Sequence, residues 1–102
     1  MLTGTLMIAA AMAQASPTAA PRQQFVACLR TAVTKATEAK AKPADFDARA
    51  RAECAGQITS FRSALVTFDV KNGRARAAAE KDADQQIADY LTDYSTRIDT
   101  GS

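Results

Sequence analysis

From Asp45 to Asn72 the larger apolar residues return at steps of four and three: Phe46, Ala50, Cys54, Ile58, Phe61, Leu65 and Phe68. At 3.6 residues per turn these positions share one face, so the spacing predicts a single long amphipathic helix over residues 44–72. Gly56 falls opposite the stripe and is expected to be exposed, where it can bend the helix slightly. Val66 and Val70 leave the stripe and open a second apolar face late in the helix. Two faces call for two packing neighbours rather than one.

Those neighbours flank it in sequence. Phe25, Cys28, Leu29, Ala32, Val33 and Ala36 repeat the rhythm and predict a first helix over residues 21–40, with Pro21 in its first turn. The Lys42-Pro43 step disfavours helical geometry at Lys42 and turns the chain. Asp45 or Asp47 can then cap the long helix. Asn72-Gly73 is a helix stop, since both residues tolerate a left-handed backbone. Ala79, Ala83, Ile87, Leu91, Tyr94 and Ile98 predict a third helix over residues 75–98, with Tyr90 at the edge of the stripe. Connections this short force antiparallel neighbours, so the expected fold is all-α, a three-helix up-down-up bundle.

The ends differ in character. Residues 1–15 read as a secretory signal peptide: Leu2, Leu6, Met7, Ile8 and the alanines that follow form an apolar run. Two small-x-small cleavage sites, Ala11-Met12-Ala13 and Ala13-Gln14-Ala15, come after it. No Lys or Arg precedes the run, which departs from the usual leader: either the α-amino group supplies the positive charge or the true start lies upstream. The alternative to a signal is an uncleaved helix leading into the domain. The run falls short of the ~20 residues a membrane span needs, so no transmembrane span is expected. Residues 16–20 read as a linker, 21–98 as the helical domain and 99–102 as a disordered tail.

Composition sharpens this. About a quarter of the 102 residues are alanine, which favours helix but buries little apolar area, and there is no Trp. A single small core of that kind profits from a covalent staple. The formal net charge of +2 gives no footprint for nucleic acid, so no nucleic-acid partner is expected. Histidine is absent, which removes the commonest general base, metal ligand and neutral-pH switch. No metal and no cofactor is expected.

Cys28 and Cys54 each lie in phase with the stripe of their own helix. In an antiparallel hairpin turning around position 41 they stand level, each about eleven residues, or roughly 16 Å of helix, from the turn. They are therefore expected to form an inter-helix disulfide, closing a loop whose entropy is worth roughly 3–4 kcal/mol. The alternative is two buried thiols in a reducing compartment. Two thiols without histidine do not make a structural zinc site, and the spacing is not the C-x-x-C of a redox enzyme. Together with the leader they indicate a periplasmic or secreted protein.

No catalytic set emerges. Ser60, Ser63 and Ser95 have no histidine to activate them, and the Asp45/Asp47, Asp82/Asp84 and Asp89/Asp93 pairs read as caps and solvated helix faces. The chain is expected not to be an enzyme. One charge pattern stands out: Lys71, Arg74 and Arg76 gather at the start of the third helix, where positive charge opposes the dipole. They form a candidate anion-binding site for phosphate or a lipid headgroup, set against the plainer reading of a solvated turn.

The runs Phe25-Val26-Ala27-Cys28-Leu29, Phe46-Asp47-Ala48-Arg49 and Phe68-Asp69-Val70-Lys71-Asn72-Gly73, with Cys54 between the last two, resemble small exported helical proteins of alphaproteobacteria that have no assigned activity. The resemblance implies a periplasmic or secreted helical domain with the cysteine pair. The expected function is binding of a protein partner through a helical surface. The alternative is a holdase-like stress chaperone of the periplasm, by analogy of architecture with small disulfide-linked acid chaperones.

Overall fold

The computed structural model describes residues 16–98. The expected leader over 1–15 and the expected tail over 99–102 lie outside the described residues. The described chain is helical with no strand. It consists of α1 (Ala19–Glu38), a short 3-10 turn (Pro43–Asp45), α2 (Phe46–Glu53), α3 (Ala55–Lys71) and α4 (Arg76–Ser95).

Four helices replace the expected three, because the long central helix is broken at Cys54. That residue has φ −111° and ψ 24°, outside the helical basin, and serves both as the last cap of α2 and the first cap of α3. The hydrogen-bond ladder survives on both sides, with the Cys54 N–H donating to the Ala50 carbonyl at 2.7 Å and the Ile58 N–H to the Cys54 carbonyl at 2.9 Å. A break confined to one residue keeps the four-residue spacing of Ala50, Cys54 and Ile58, so it leaves no trace in the hydrophobic period.

The ends of the elements follow from local chemistry. α1 begins at Ala19, two residues before the expected start, so part of the expected linker is helical. Pro21 still falls in the first turn, where its missing N–H has no intrahelical partner to lose. Thr18 is buried, and its N–H donates to the Ser16 hydroxyl at 3.2 Å. At the end of α3 the Gly73 N–H donates to the Val70 carbonyl and the Arg74 N–H to the Asp69 carbonyl, with Gly73 at φ 96°. These paired bonds form a Schellman stop, reinforced by the Asn72 side-chain amide on the Phe68 carbonyl at 2.7 Å. α1 stops in the same way, but the left-handed residue is Lys40 at φ 57°. Asp45 occupies the N-cap position of α2, but its side chain makes no capping bond; Asp47 in the first turn pairs with Arg51 at 2.7 Å.

The helices enclose one core. Phe25, Leu29, Ala32 and Ala36 enter it from α1, Phe46 and Ala50 from α2, and Phe61, Leu65 and Val66 from α3. Ala79, Ala83, Ile87, Leu91 and Tyr94 from α4 complete it, with Ile98 just beyond, so the whole expected third stripe is buried. Partners step down α1 as they step up the central segment: Cys28 meets Cys54, then Phe25 stacks on Phe61 with ring centroids 5.5 Å apart. α1 is therefore antiparallel to α2 and α3. Arg62 of α3 reaches Asp84 of α4 at 2.7 Å, and Arg74 in the turn binds both Asp69 and Asp82. Those contacts hold α4 back against α3.

Candidate functional site

The cysteine pair is a disulfide. The two sulfurs are bonded, and the Cα atoms lie 5.9 Å apart across 26 positions of sequence. Cys54 is fully buried and Cys28 half-buried. The Cys28 sulfur also lies 3.8 Å from the Glu53 carbonyl, a contact rather than a hydrogen bond, since a bonded sulfur has no proton to donate. The crosslink ties the middle of α1 to the break between α2 and α3.

Above it the aromatic residues gather. Phe25 and Phe61 stack, and Tyr90 meets each edge-on, at 5.5 and 5.9 Å between centroids. The Arg22 guanidinium closes this cluster toward solvent. It lies 4.9 Å from the Phe61 ring centroid and donates to the Tyr90 hydroxyl at 2.9 Å. Tyr90, expected at the stripe's edge, is half-buried, and its hydroxyl accepts from Arg22. The arrangement packs α1, α3 and α4 together and presents no nucleophile.

The basic turn is not a convergence of three free cations. Arg74 donates to the carboxylates of Asp69, at 3.0 Å, and of Asp82. Lys71 and Arg76 are exposed and make no ion pair among the described residues, but they border different grooves. Lys71 borders one shared with Phe68 and Pro17, and Arg76 one shared with Arg62 and Glu80. Arg62 is itself committed to Asp84 through two hydrogen bonds, at 2.7 and 3.3 Å. That guanidinium holds the Asp84 carboxyl below the usual carboxylate range.

Phe68 is the feature the sequence reading placed wrongly. It belongs to the apolar stripe by spacing, yet it is 39 % exposed and is the one large apolar residue so exposed among the described residues. The reason is level rather than phase. Phe25 of α1 meets Phe61; Phe68 lies two turns further along α3, at the height where α1 starts, so no helix among the described residues covers it. Instead it lines an open groove of about 600 Å³ with Pro17, Ser60, Ser63, Ala64 and Lys71. The signal was present in the sequence: an antiparallel partner that starts near Pro21 runs out before the stripe does.

Other chemistry is sparse. Among the described residues no group of three or more His, Cys, Asp or Glu side chains is placed to hold a metal. No described helix is long and apolar enough to cross a membrane. The Arg49 Nε is buried without a hydrogen-bond partner, and its Nη2 lies 4.0 Å from the Glu53 carboxylate. Comparison with family models, with curated proteins and with solved structures gives no match to this chain.

Proposed function

We propose that this chain is an exported, non-enzymatic helical protein that acts by binding a protein partner through the exposed face of α3. The observation that carries the reading is Phe68, an aromatic side chain left in an open groove while the other three phenylalanines are fully buried. A large apolar side chain that lines an open groove beside polar ones offers a partner an anchor. The disulfide supports an oxidising compartment, in keeping with the leader and with the resemblance to alphaproteobacterial exported proteins. The absence of histidine from the sequence argues against acid–base or nucleophilic catalysis.

A photo-crosslinking residue placed at position 68 in the protein expressed in its native host tests this directly. One or a few discrete adducts, lost on denaturation before irradiation, are the expected result. A blank lane refutes binding through this face. Export is checked on the same material: protein recovered from the periplasm should begin at Gln14 or Ser16, and full-length chain found only in the cytosol contradicts it.

One observation favours a second reading, that of a holdase. α3 is held to α4 by Arg62 on Asp84 and by Arg74 on Asp69 and Asp82, contacts that depend on ionised carboxylates. Protonation of Asp84 in acid releases its pair with Arg62 and loosens the α3–α4 junction. A holdase would suppress aggregation of an acid-denatured client and bind an apolar dye at low pH; a dedicated binder would do neither at the pH where it is folded.

A further inference from the structure

The Phe68 groove lies where the described chain begins. Pro17 forms part of its wall, and Ser16, the residue before it, is tied into the fold. The Ser16 carbonyl accepts from the Ala19 N–H at 3.0 Å, its hydroxyl accepts from the Thr18 N–H at 3.2 Å, and the Ser16 and Thr18 hydroxyls share a bond of 2.9 Å. The chain is therefore anchored up to Ser16, and residues 1–15 join it at the groove itself. What the groove offers is apolar surface rather than charge. Phe68, Ala64 and Pro17 supply that surface, and no acid lines it. The charges nearby cancel: Arg74 is shared by Asp69 and Asp82, and Glu80 lies beside Arg76. Lys71 can lay its stem along the groove and keep its head in water. An occupant needs apolar side chains and no charge of its own. The sequence of residues 1–15 has that character: it carries Leu2, Leu6, Met7, Ile8 and Met12, and no Asp, Glu, Lys or Arg.

We infer that, in a chain that keeps residues 1–15, this segment folds back on α3 and covers Phe68. Reach does not limit it. From Ser60 to Lys71 the face is about 16 Å long, which about five residues of extended chain can span. Tethering decides between this segment and a free one. A segment joined directly to the groove wall stands there at an effective concentration on the order of millimolar, so a free competitor of ordinary abundance loses to it unless it binds far more tightly. The inference goes beyond the binding reading: the groove is occluded by the chain's own leader, and removal of the leader is the step that opens Phe68 to a partner.

The test uses the full chain, made by cell-free synthesis without membranes so that residues 1–15 stay attached, and oxidised to form the Cys28–Cys54 bridge. A photo-crosslinking residue at position 68 should give adducts that peptide mass spectrometry maps to residues 2–12, at a yield unchanged on dilution. Leu6→Lys combined with Ile8→Lys should abolish those adducts, because the groove holds Lys71 and no acid to receive the new charges. Both chains should still melt cooperatively, which excludes unfolding as the cause. A fluorinated phenylalanine at position 68 gives an independent reading: its fluorine resonance should differ between the full chain and the double variant. Adducts that grow with concentration put a second copy on Phe68 and overturn the inference. Adducts confined to residues beyond Ser16, no adducts, or a resonance indifferent to the double variant overturn it too. Its failure is separable from that of the binding reading. No adduct to residues 1–15 alongside a discrete partner adduct in the native host removes the leader and leaves binding standing. The reverse result keeps the leader as the occupant and removes the partner.

Discussion

Cys54, bonded to Cys28 of α1 with Cα atoms 5.9 Å apart, is also the residue at which the central helix breaks. The crosslink therefore fixes a junction as well as a hairpin. With 26 positions between the cysteines, the chain-entropy model gives about 3.5 kcal/mol of stabilisation at 25 °C. For a domain of this size that corresponds to a fall in melting temperature of roughly 15–25 °C on reduction. Mass spectrometry with and without reductant before alkylation, then melts of both forms, measures it. Free thiols in protein taken from the periplasm would falsify the bridge as the native state, and an unchanged melt would show that it serves something other than stability.

The break should depend on the bridge. Ala50, Cys54 and Ile58 keep helical spacing, and the residues around them include no proline, although Gly56 weakens the helix just past the break. Replacing both cysteines by alanine, the strongest helix former, should join α2 and α3. Carbon chemical shifts of residues 53–56 are the measurement. Helical values at all four positions are expected in the double variant, with position 54 non-helical in the oxidised parent. A break retained in the variant would assign it to Gly56 or to packing of α2 instead.

The contrast between Phe61 and Phe68 shows what the sequence could convey. Periodicity located the three helical stretches, though not the split of the second into α2 and α3; local signals located the Asn72-Gly73 stop and a register counted from one turn the level pairing of the cysteines. It could not show the interruption at Cys54, which keeps the period intact. Nor could it expose Phe68, whose burial depends on where another helix begins. The pairing of Arg74 with Asp69 and Asp82 was also out of reach, since Asp82 arrives from the facing helix once the turn is formed.

That contrast is measurable. Phe61 is fully buried between Phe25, Tyr90 and Arg22, so Phe61→Ala should cost about 3–5 kcal/mol, enough to unfold much of the population. Phe68→Ala, at a 39 % exposed position, should change stability by about 0.5 kcal/mol or less. Chemical denaturation of both variants decides it. Equal costs would mean that Phe68 is covered in solution.

Lys40 offers a gain. It holds the left-handed position that ends α1, at φ 57°, where a Cβ is crowded and glycine is not. Lys40→Gly should raise stability by about 0.5–1 kcal/mol after allowing for glycine's greater freedom in the unfolded chain. A loss on substitution would indicate that the lysine side chain contributes a contact larger than the backbone strain.

The response to pH should be one-sided. The chain has no histidine, and its cysteines are bonded, so no side chain with an ordinary pKa between 5 and 8 is present and the melting temperature should be nearly flat across that window. Below it Asp84 matters. The hydrogen bond and charge of Arg62 favour its ionised form, so its folded pKa lies under its unfolded one. The unfolded chain therefore takes up the proton first as pH falls. The stabilisation from this group is whole above roughly pH 4–5 and is lost as pH drops through the unfolded value toward the folded one. Asp84→Asn removes the titration, so the melting-temperature difference between parent and variant should be present at pH 7 and shrink below about pH 4. A difference constant from pH 7 to pH 3 would show that Asp84 acts through packing or helix propensity. A steeper fall, joined by apolar-dye binding at the same pH, would show the α3–α4 junction opening as a unit and would favour the holdase over the dedicated binder.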